Sequence, residues 1–263
     1  MQNANMHRLT ASLEFKALGE FFVHSLRHLE ESPTVVVVGR RNLKKRSASI
    51  EALLDELHKE GFSLCWYECM GARYARLRQR ALEEIGNAWL DSFVIRHPVM
   101  GILATKAVRL RLKIKYPKRR CFLLNKWDTD SFSAKNLRRF LGELSAPEVM
   151  LLSHSAGGIA ASLVASEKSI KKLVCFGYPF KHPEKADEDD RTAHLACVSK
   201  PFLIVQGSRD EYGTVQDAQR YALSPHIVLS AIEADHDYDS LDKPVLDQVL
   251  QLVLQFLRSK QGV

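Results

Sequence analysis

The chain has 263 residues, of which 46% are hydrophobic and 26% charged, a composition that excludes disorder and coiled coil as descriptions of the whole protein. Its net charge of +7 is uneven, because residues 72–130 hold 14 Lys and Arg against 5 Asp and Glu. Five cysteines with no C-x-x-C pair, no charge-free apolar stretch of roughly 18 residues and no signal-peptide pattern lead us to expect a soluble cytoplasmic protein with free thiols.

The first 30 residues have apolar side chains at spacings of three and four, which predicts a helix. These side chains are Phe15, Leu18, Phe22, Leu26 and Leu29. A break at Ser32-Pro33 ends this segment. The following run, residues 34–39, is β-branched and closed by glycine, which is typical of a strand buried on both faces of a parallel sheet.

Strands and helices then alternate. A helix capped by Ser47 or Ser49 and ending near Gly61 leads to a strand at 62–69. The same rhythm resumes later, with predicted strands at 149–152, 172–176, 201–205 and 227–232 and a closing helix from Pro244. This order predicts an α/β fold with a mostly parallel sheet of about six or more strands and helices on both faces.

One segment interrupts the alternation. We interpret residues 71–130 as a basic, mostly helical insertion in a single domain that spans residues 1–263. Within the insertion, residues 108–116 alternate apolar and basic side chains, which favours an amphipathic strand over a helix there.

The clearest chemical motif is a serine between an apolar strand and a helix of small residues. Ser155 is the centre of Ser153-His154-Ser155-Ala156-Gly157. A sharp strand-to-helix turn strains its central residue and brings neighbouring chains close, so large flanking side chains would clash. The usual pattern is G-x-S-x-G, and the serine at its first position departs from it.

A serine hydroxyl is a weak nucleophile at neutral pH unless a base removes its proton, and a carboxylate must hold that base in the right tautomer. Asp210 and His236 follow two later predicted strands, and they are the two residue types that this chemistry needs. We therefore predict that Ser155, Asp210 and His236 form a catalytic triad. Each also has a plain structural interpretation, since aspartate is common in turns and loop histidines are usually solvated.

Three further segments are Gly177-Tyr178-Pro179-Phe180, residues 191–195 (RTAHL) and residues 206–213 (QGSRDEYG). With them the chain resembles α/β-hydrolase-fold serine hydrolases of the group labelled predicted or dienelactone-hydrolase-like, over about residues 34–70 and 132–258. Within that group it most resembles the branch of testis-expressed hydrolase-like proteins and a non-catalytic-looking subunit of a chromatin acetyltransferase complex. The resemblance implies the same triad of Ser155, Asp210 and His236.

The resemblance also implies an oxyanion hole made by the backbone N–H groups of Ala156 and Arg40. After the strand predicted at residues 34–39, relatives usually have His-Gly followed by small residues, whereas this chain has Gly39-Arg40-Arg41. Paired hydrogen bonds from the two arginines could recognise a carboxylate or phosphate, so Arg41 is a candidate substrate-binding residue for an anionic substrate. The alternative is that both are solvated loop charges.

The basic insertion has several interpretations. The resemblance suggests that the insertion is a lid over the site. A plainer alternative is an ordinary cap whose basic face is simply solvated. Contact of residues 96–126 with an anionic membrane surface is a third interpretation. Nucleic acid is not expected, because no array of base-stacking aromatic residues accompanies the charge.

Two functions stay open at this point. The first is a serine hydrolase that cleaves a small-molecule ester or thioester through an acyl-enzyme on Ser155, with a peptidase not excluded. The second is a catalytically idle hydrolase fold that binds a partner or a membrane through the insertion. No G-x-G-x-x-G or P-loop follows a strand, and no acidic or histidine cluster has metal-site spacing, so we expect no cofactor and no metal.

Overall fold

The computed structural model shows one eight-stranded sheet with helices around it. It describes residues 14–18, 21–26, 33–39, 47–67, 83, 86, 89–115, 130–144, 146, 148–186, 188–239 and 241–259. The strands are β1 (Glu14–Leu18), β2 (Phe21–Leu26), β3 (Thr34–Val38), β4 (Ser63–Trp66), β5 (Val149–His154), β6 (Ile170–Phe176), β7 (Phe202–Gly207) and β8 (Ile227–Ile232). The helices are α1 (Ala48–Lys59), α2 (Leu90–Arg96), α3 (Pro98–Lys115), α4 (Asp130–Glu143), α5 (Ala156–Leu163), α6 (Asp189–Thr192), α7 (Val215–Ala218) and α8 (Lys243–Arg258), with a 3-10 helix at Ala193–Cys197.

The strand order is β1-β2-β4-β3-β5-β6-β7-β8. The six strands from β4 to β8 in this order run parallel, which confirms the predicted fold class. The direction of progress through the sheet changes at β3, which lies between β4 and β5. In doubly wound sheets such a switch point opens a crevice at the carboxyl ends of the strands.

Alternate residues of the central strands face two separate apolar cores. Val36, Leu151 and Cys175 belong to a core that includes side chains of α4 and α5. Val37 and Leu152 belong to a second core that includes side chains of α1 and α8. One layer of helices therefore covers each face of the sheet, as the uninterrupted apolar strands require.

The predicted N-terminal helix is wrong. Residues 14–26 instead hold two antiparallel strands, and β2 pairs with β4 so that His24 lies opposite Trp66. This pairing adds backbone hydrogen bonds at a sheet edge that would otherwise be left open. A local spacing of three and four contains no information about a partner strand that lies about 40 residues further on.

The contacts divide the chain into a main unit, residues 1–69 with 130–263, and an inserted unit, residues 70–129. In the inserted unit only His97 separates α2 from α3, and the two helices approach closely at this junction, because a Cβ added to Gly101 would lie 2.9 Å from the Cα of Val94. The amphipathic strand predicted at 108–116 is wrong, since α3 continues to Lys115. Among the described residues no helix is long and apolar enough to cross a bilayer.

Candidate active site

Three predicted site residues lie beyond the carboxyl ends of three parallel strands in the same half of the sheet. Ser155 follows β5, Asp210 lies three residues after β7, and His236 lies four residues after β8. Because parallel strands end at one edge of their sheet, these residues meet there although they are far apart in sequence. The fold thus explains why their side chains converge.

Ser155 occupies a strained turn between β5 and α5. Its φ of 54° and ψ of −132° place a non-glycine residue in a region that side chains rarely adopt. A hydrogen bond to the neighbouring strand fixes this turn, because the backbone N–H of Ser155 donates to the carbonyl oxygen of Phe176, the last residue of β6, at 3.0 Å. The strain fixes the hydroxyl at the start of α5.

The residues on either side of this turn explain its sequence. A Cβ on Gly157 would lie 2.4 Å from the carbonyl oxygen of Val38, so the end of β3 leaves room only for glycine. Ser153, which replaces the usual glycine, is fully buried and its Oγ donates to the carbonyl oxygen of Val174 at 3.0 Å. The departure from G-x-S-x-G therefore leaves no unsatisfied hydroxyl.

The three side chains form a continuous hydrogen-bonded chain. His236 Nε2 lies 2.8 Å from Ser155 Oγ, and His236 Nδ1 lies 2.9 Å from each carboxylate oxygen of Asp210. Nδ1–H of His236 donates a hydrogen bond to the Asp210 carboxylate, and in this tautomer the lone pair of Nε2 can accept a hydrogen bond from the serine hydroxyl. The histidine side chain is 13% exposed and that of Asp210 is fully buried.

A buried carboxylate is stable only when its oxygens accept hydrogen bonds. Besides His236, Asp210 accepts from Gln206 Nε2 at 2.9 Å and from the backbone N–H of Tyr212 at 2.8 Å. The Gln206 amide also donates to the carbonyl oxygen of Gly213. The carboxylate is therefore held in one orientation toward the histidine.

Gly177 is the close neighbour of this pair. Its φ is +59°, and a Cβ there would lie 3.1 Å from Asp210 Oδ2 and 3.2 Å from His236 Nδ1. Glycine adopts this conformation without strain and leaves the space that the pair occupies. In the sequence Gly177 begins the Gly177-Tyr178-Pro179-Phe180 segment, where no neighbouring residue indicates its closeness to Asp210 and His236.

Several contacts fix the loop that carries His236. The His154 Nε2 donates to the carbonyl oxygen of His236 at 2.8 Å, and the Tyr238 hydroxyl donates to that of Val205 at 2.9 Å. The Ser47 hydroxyl donates to the carbonyl oxygen of Tyr238. Burial lowers the pKa of His154 below its ordinary value of 6.5, which keeps this ring neutral as a hydrogen-bond donor.

Tyr212 and His154 flank the histidine and were given no role by the sequence analysis. The ring of Tyr212 lies 4.3 Å from that of His236, and the ring of His154 lies 5.4 Å from it. His154 directly precedes Ser155 in the sequence, and Tyr212 lies two positions after Asp210. Only the folded loops show that their rings also lie beside the imidazole.

Of the predicted oxyanion-hole and substrate-binding residues, the structure describes only Ala156. Ala156 is the first residue of α5, where N–H groups have no acceptor within their own helix. Arg40 and Arg41 lie outside the described residues, so the second oxyanion donor and the arginine contact to substrate stay predictions. Among the described residues no group of three or more acidic, cysteine or histidine side chains could hold a metal ion.

Comparisons with known proteins agree with this architecture. A family model described as an alpha/beta hydrolase domain matches residues 112–256. No curated protein matches the chain significantly.

Several solved structures have a similar fold. A thioesterase domain from the curacin biosynthetic pathway has a TM-score of 0.57 at 11% identity, covering 92% of this chain and 98% of that one. An alpha/beta hydrolase enzyme from the sediment metagenome of the Mar Chica lagoon in Morocco has a TM-score of 0.55 at 16% identity over 93% and 98%. A hydrolase from Pseudomonas aeruginosa PA01 has a TM-score of 0.56 at 14% identity over 94% and 98%.

Proposed function

The chain belongs to the alpha/beta hydrolase domain family, and on that premise we propose that it is a serine hydrolase that cleaves an ester or thioester through an acyl-enzyme on Ser155. The hydrogen-bonded chain from Ser155 through His236 to Asp210 is the observation that carries the proposal. A serine hydroxyl with an imidazole nitrogen 2.8 Å away, on a ring that a buried carboxylate orients, is an activated nucleophile.

In the first half of the proposed reaction, Ser155 Oγ attacks the substrate carbonyl carbon while His236 Nε2 takes the hydroxyl proton. Asp210 stabilises the imidazolium that forms. The tetrahedral intermediate collapses as the bond to the leaving group breaks, and the imidazolium gives its proton to that group. The acyl group is then joined to Ser155 as an ester.

In the second half, His236 takes a proton from water, and the resulting hydroxide attacks the acyl carbon. The bond to Ser155 Oγ breaks, the imidazolium returns a proton to that oxygen, and the carboxylic acid leaves. The negative charge of each tetrahedral intermediate needs backbone N–H donors. We assign this role to Ala156 at the start of α5 and to Arg40.

The finer parts of the proposal rest on the sequence. Arg41 recognises a negative charge carried by the substrate away from its scissile carbonyl, and the chain is a member of the testis-expressed hydrolase-like branch. A reducing cytosol is the proposed location, since Cys65 and Cys175 are buried with free thiols.

The test is labelling by a fluorophosphonate and turnover of a panel of activated esters and thioesters. Ser155→Ala should abolish labelling and lower turnover by roughly a millionfold, since the nucleophile acts as a unit with its base. Ser153→Ala is the matched control, because it removes a buried hydroxyl of the same turn that lies outside the triad. Labelling retained in Ser155→Ala would refute the nucleophile, and an unreactive wild type that stays folded would favour the idle interaction module.

A further inference from the structure

The inserted unit exposes large apolar side chains on one helix. Along α3, Ile114 is 72% exposed, Val99 78% and Leu103 67%, and Met100 and Leu110 are exposed to a similar degree. Ile95 at the end of α2 is 83% exposed. Contiguous apolar exposure of this kind marks a surface that binds something.

These side chains share one face of α3. At 100° per residue, five of the six large exposed apolar side chains of α3 fall within an arc of about 100°, and the sixth, Ile102, lies about 60° outside it. We call this arc the α3 face; its residues are Val99, Met100, Leu103, Leu110 and Ile114. Gly101 and Val108 lie on the other side of the helix, where both are buried. The apolar face that points to solvent is thus additional to the one that packs inside the unit.

The borders of the α3 face are basic. Lys106 lies about 20° beyond one edge of the arc and Arg111 about 20° beyond the other, and both side chains are exposed. Exposed Lys115 lies further along the second side. The helix contains five Lys and Arg and no Asp or Glu. Ile102 is exposed beyond Lys106, which widens the apolar surface on that side.

We propose that the α3 face binds the surface of an anionic lipid bilayer, with α3 lying in the plane of the interface. An apolar arc bordered on both sides by long basic side chains fits such a surface, because the arc enters the acyl boundary while the cationic groups reach phosphate headgroups. The absence of acidic residues from α3 favours an anionic surface over a neutral one. This proposal is independent of the chemistry at Ser155.

The test is flotation of the full chain with phosphatidylcholine vesicles, with and without phosphatidylserine. We expect binding to the anionic vesicles that weakens with added salt, because salt screens the attraction of exposed charges. Lys106→Gln with Arg111→Gln should weaken this binding about 30-fold, since each basic residue near an anionic surface contributes about fivefold. Leu103→Gln with Ile114→Gln should weaken it through loss of the inserted apolar area.

The matched control is Lys168→Gln with Lys243→Gln, which removes two exposed charges from the main unit. It should bind anionic vesicles nearly as well as wild type. The proposal is overturned if the wild type does not float with anionic vesicles, or if the control loses as much affinity as the α3 charge variant. It is also overturned if the protein does not bind the anionic vesicles and sedimentation instead shows a dimer that is lost in Leu103→Gln with Ile114→Gln.

Discussion

The main unit and the inserted unit differ in which kinds of side chain they bury and which they expose. The main unit buries a carboxylate, Asp210, and satisfies it with three donors, whereas the inserted unit leaves Val99 and Ile114 exposed. Among the residues whose side-chain burial is described, which leaves out β1 and β2, all the strongly exposed large apolar side chains lie between residues 89 and 114. The exposed apolar surface of the described residues therefore lies in the inserted unit, and the membrane contact that we propose uses it.

The largest expected effect breaks the buried network of the main unit. Asp210→Asn removes the negative charge and favours the wrong histidine tautomer, so kcat for an ester substrate should fall by about 10⁴. Steady-state kinetics on the folded variant measure this. Asp239→Asn, an exposed position in the loop that carries His236, should leave kcat within a few fold. Equal losses in the two variants would mean that the buried carboxylate has no special role.

The second prediction compares two glycines with similar backbones, one in each unit. Gly177 and Gly86 have φ of 59° and 67°, but a Cβ meets Asp210 and His236 at the first and nothing within 4 Å at the second. Gly177→Ala should lower kcat/KM by roughly 100-fold, as expected for a small displacement of catalytic groups. In both variants the free energy of unfolding should fall by about 1 to 2 kcal/mol, because a side chain strains a backbone with positive φ.

Gly86→Ala therefore serves as the strain control. If it lowers kcat/KM as much as Gly177→Ala, then backbone strain alone explains the loss, and the close packing beside the histidine does not. Thermal unfolding of each variant, followed by circular dichroism, reports the strain separately from the activity.

Much of the main unit could be predicted because its strands are buried on both faces and carry unbroken apolar runs. The predicted strand at 227–232 has the bounds of β8, and the run at 34–39 contains β3. Ser47 caps α1, as predicted, and Thr214 with Asp217 forms a capping box at the start of α7. These features depend on neighbours a few residues away, which a sequence displays directly.

The two wrong elements have different causes. In the first case β1 pairs with β2, and β2 pairs with β4, a strand far along the chain; in the second, residues 108–115 belong to a helix whose second apolar face is exposed. In the second case the alternation of apolar and basic residues has a period near two over a short window, while the helix displays its full pattern only over 18 residues. His154 and Tyr212 were missed because nothing local indicates that loops from distant strands meet there.

A smaller effect concerns the neutral histidine of the main unit. Burial lowers the pKa of His154, so as the pH falls below about 6.5 the unfolded chain takes up a proton before the folded chain does. The free energy of unfolding is therefore fully retained above pH 6.5 and decreases toward the lower folded-state pKa. His154→Gln keeps an N–H donor but cannot titrate, so its stability should decline less steeply in this window.

Urea unfolding at a series of pH values measures that slope. Burial also lowers the pKa of His194, so the variant should retain part of the decline. Identical slopes for wild type and His154→Gln would assign the whole decline to other groups and leave His154 without a titrating role.

The smallest expected effect is on the free energy of unfolding when an exposed apolar side chain of the inserted unit is replaced. Ile114→Gln replaces an apolar side chain that is 72% exposed, so the free energy of unfolding should change by no more than about 0.5 kcal/mol. Leu137→Ala, at a fully buried position of α4, should cost about 2 to 5 kcal/mol, because it removes buried methyl groups and leaves a cavity. Chemical denaturation of both variants without lipid gives the two numbers. A loss above about 1 kcal/mol for Ile114→Gln would show that the chain itself covers this face, which would remove the reason to seek a membrane there.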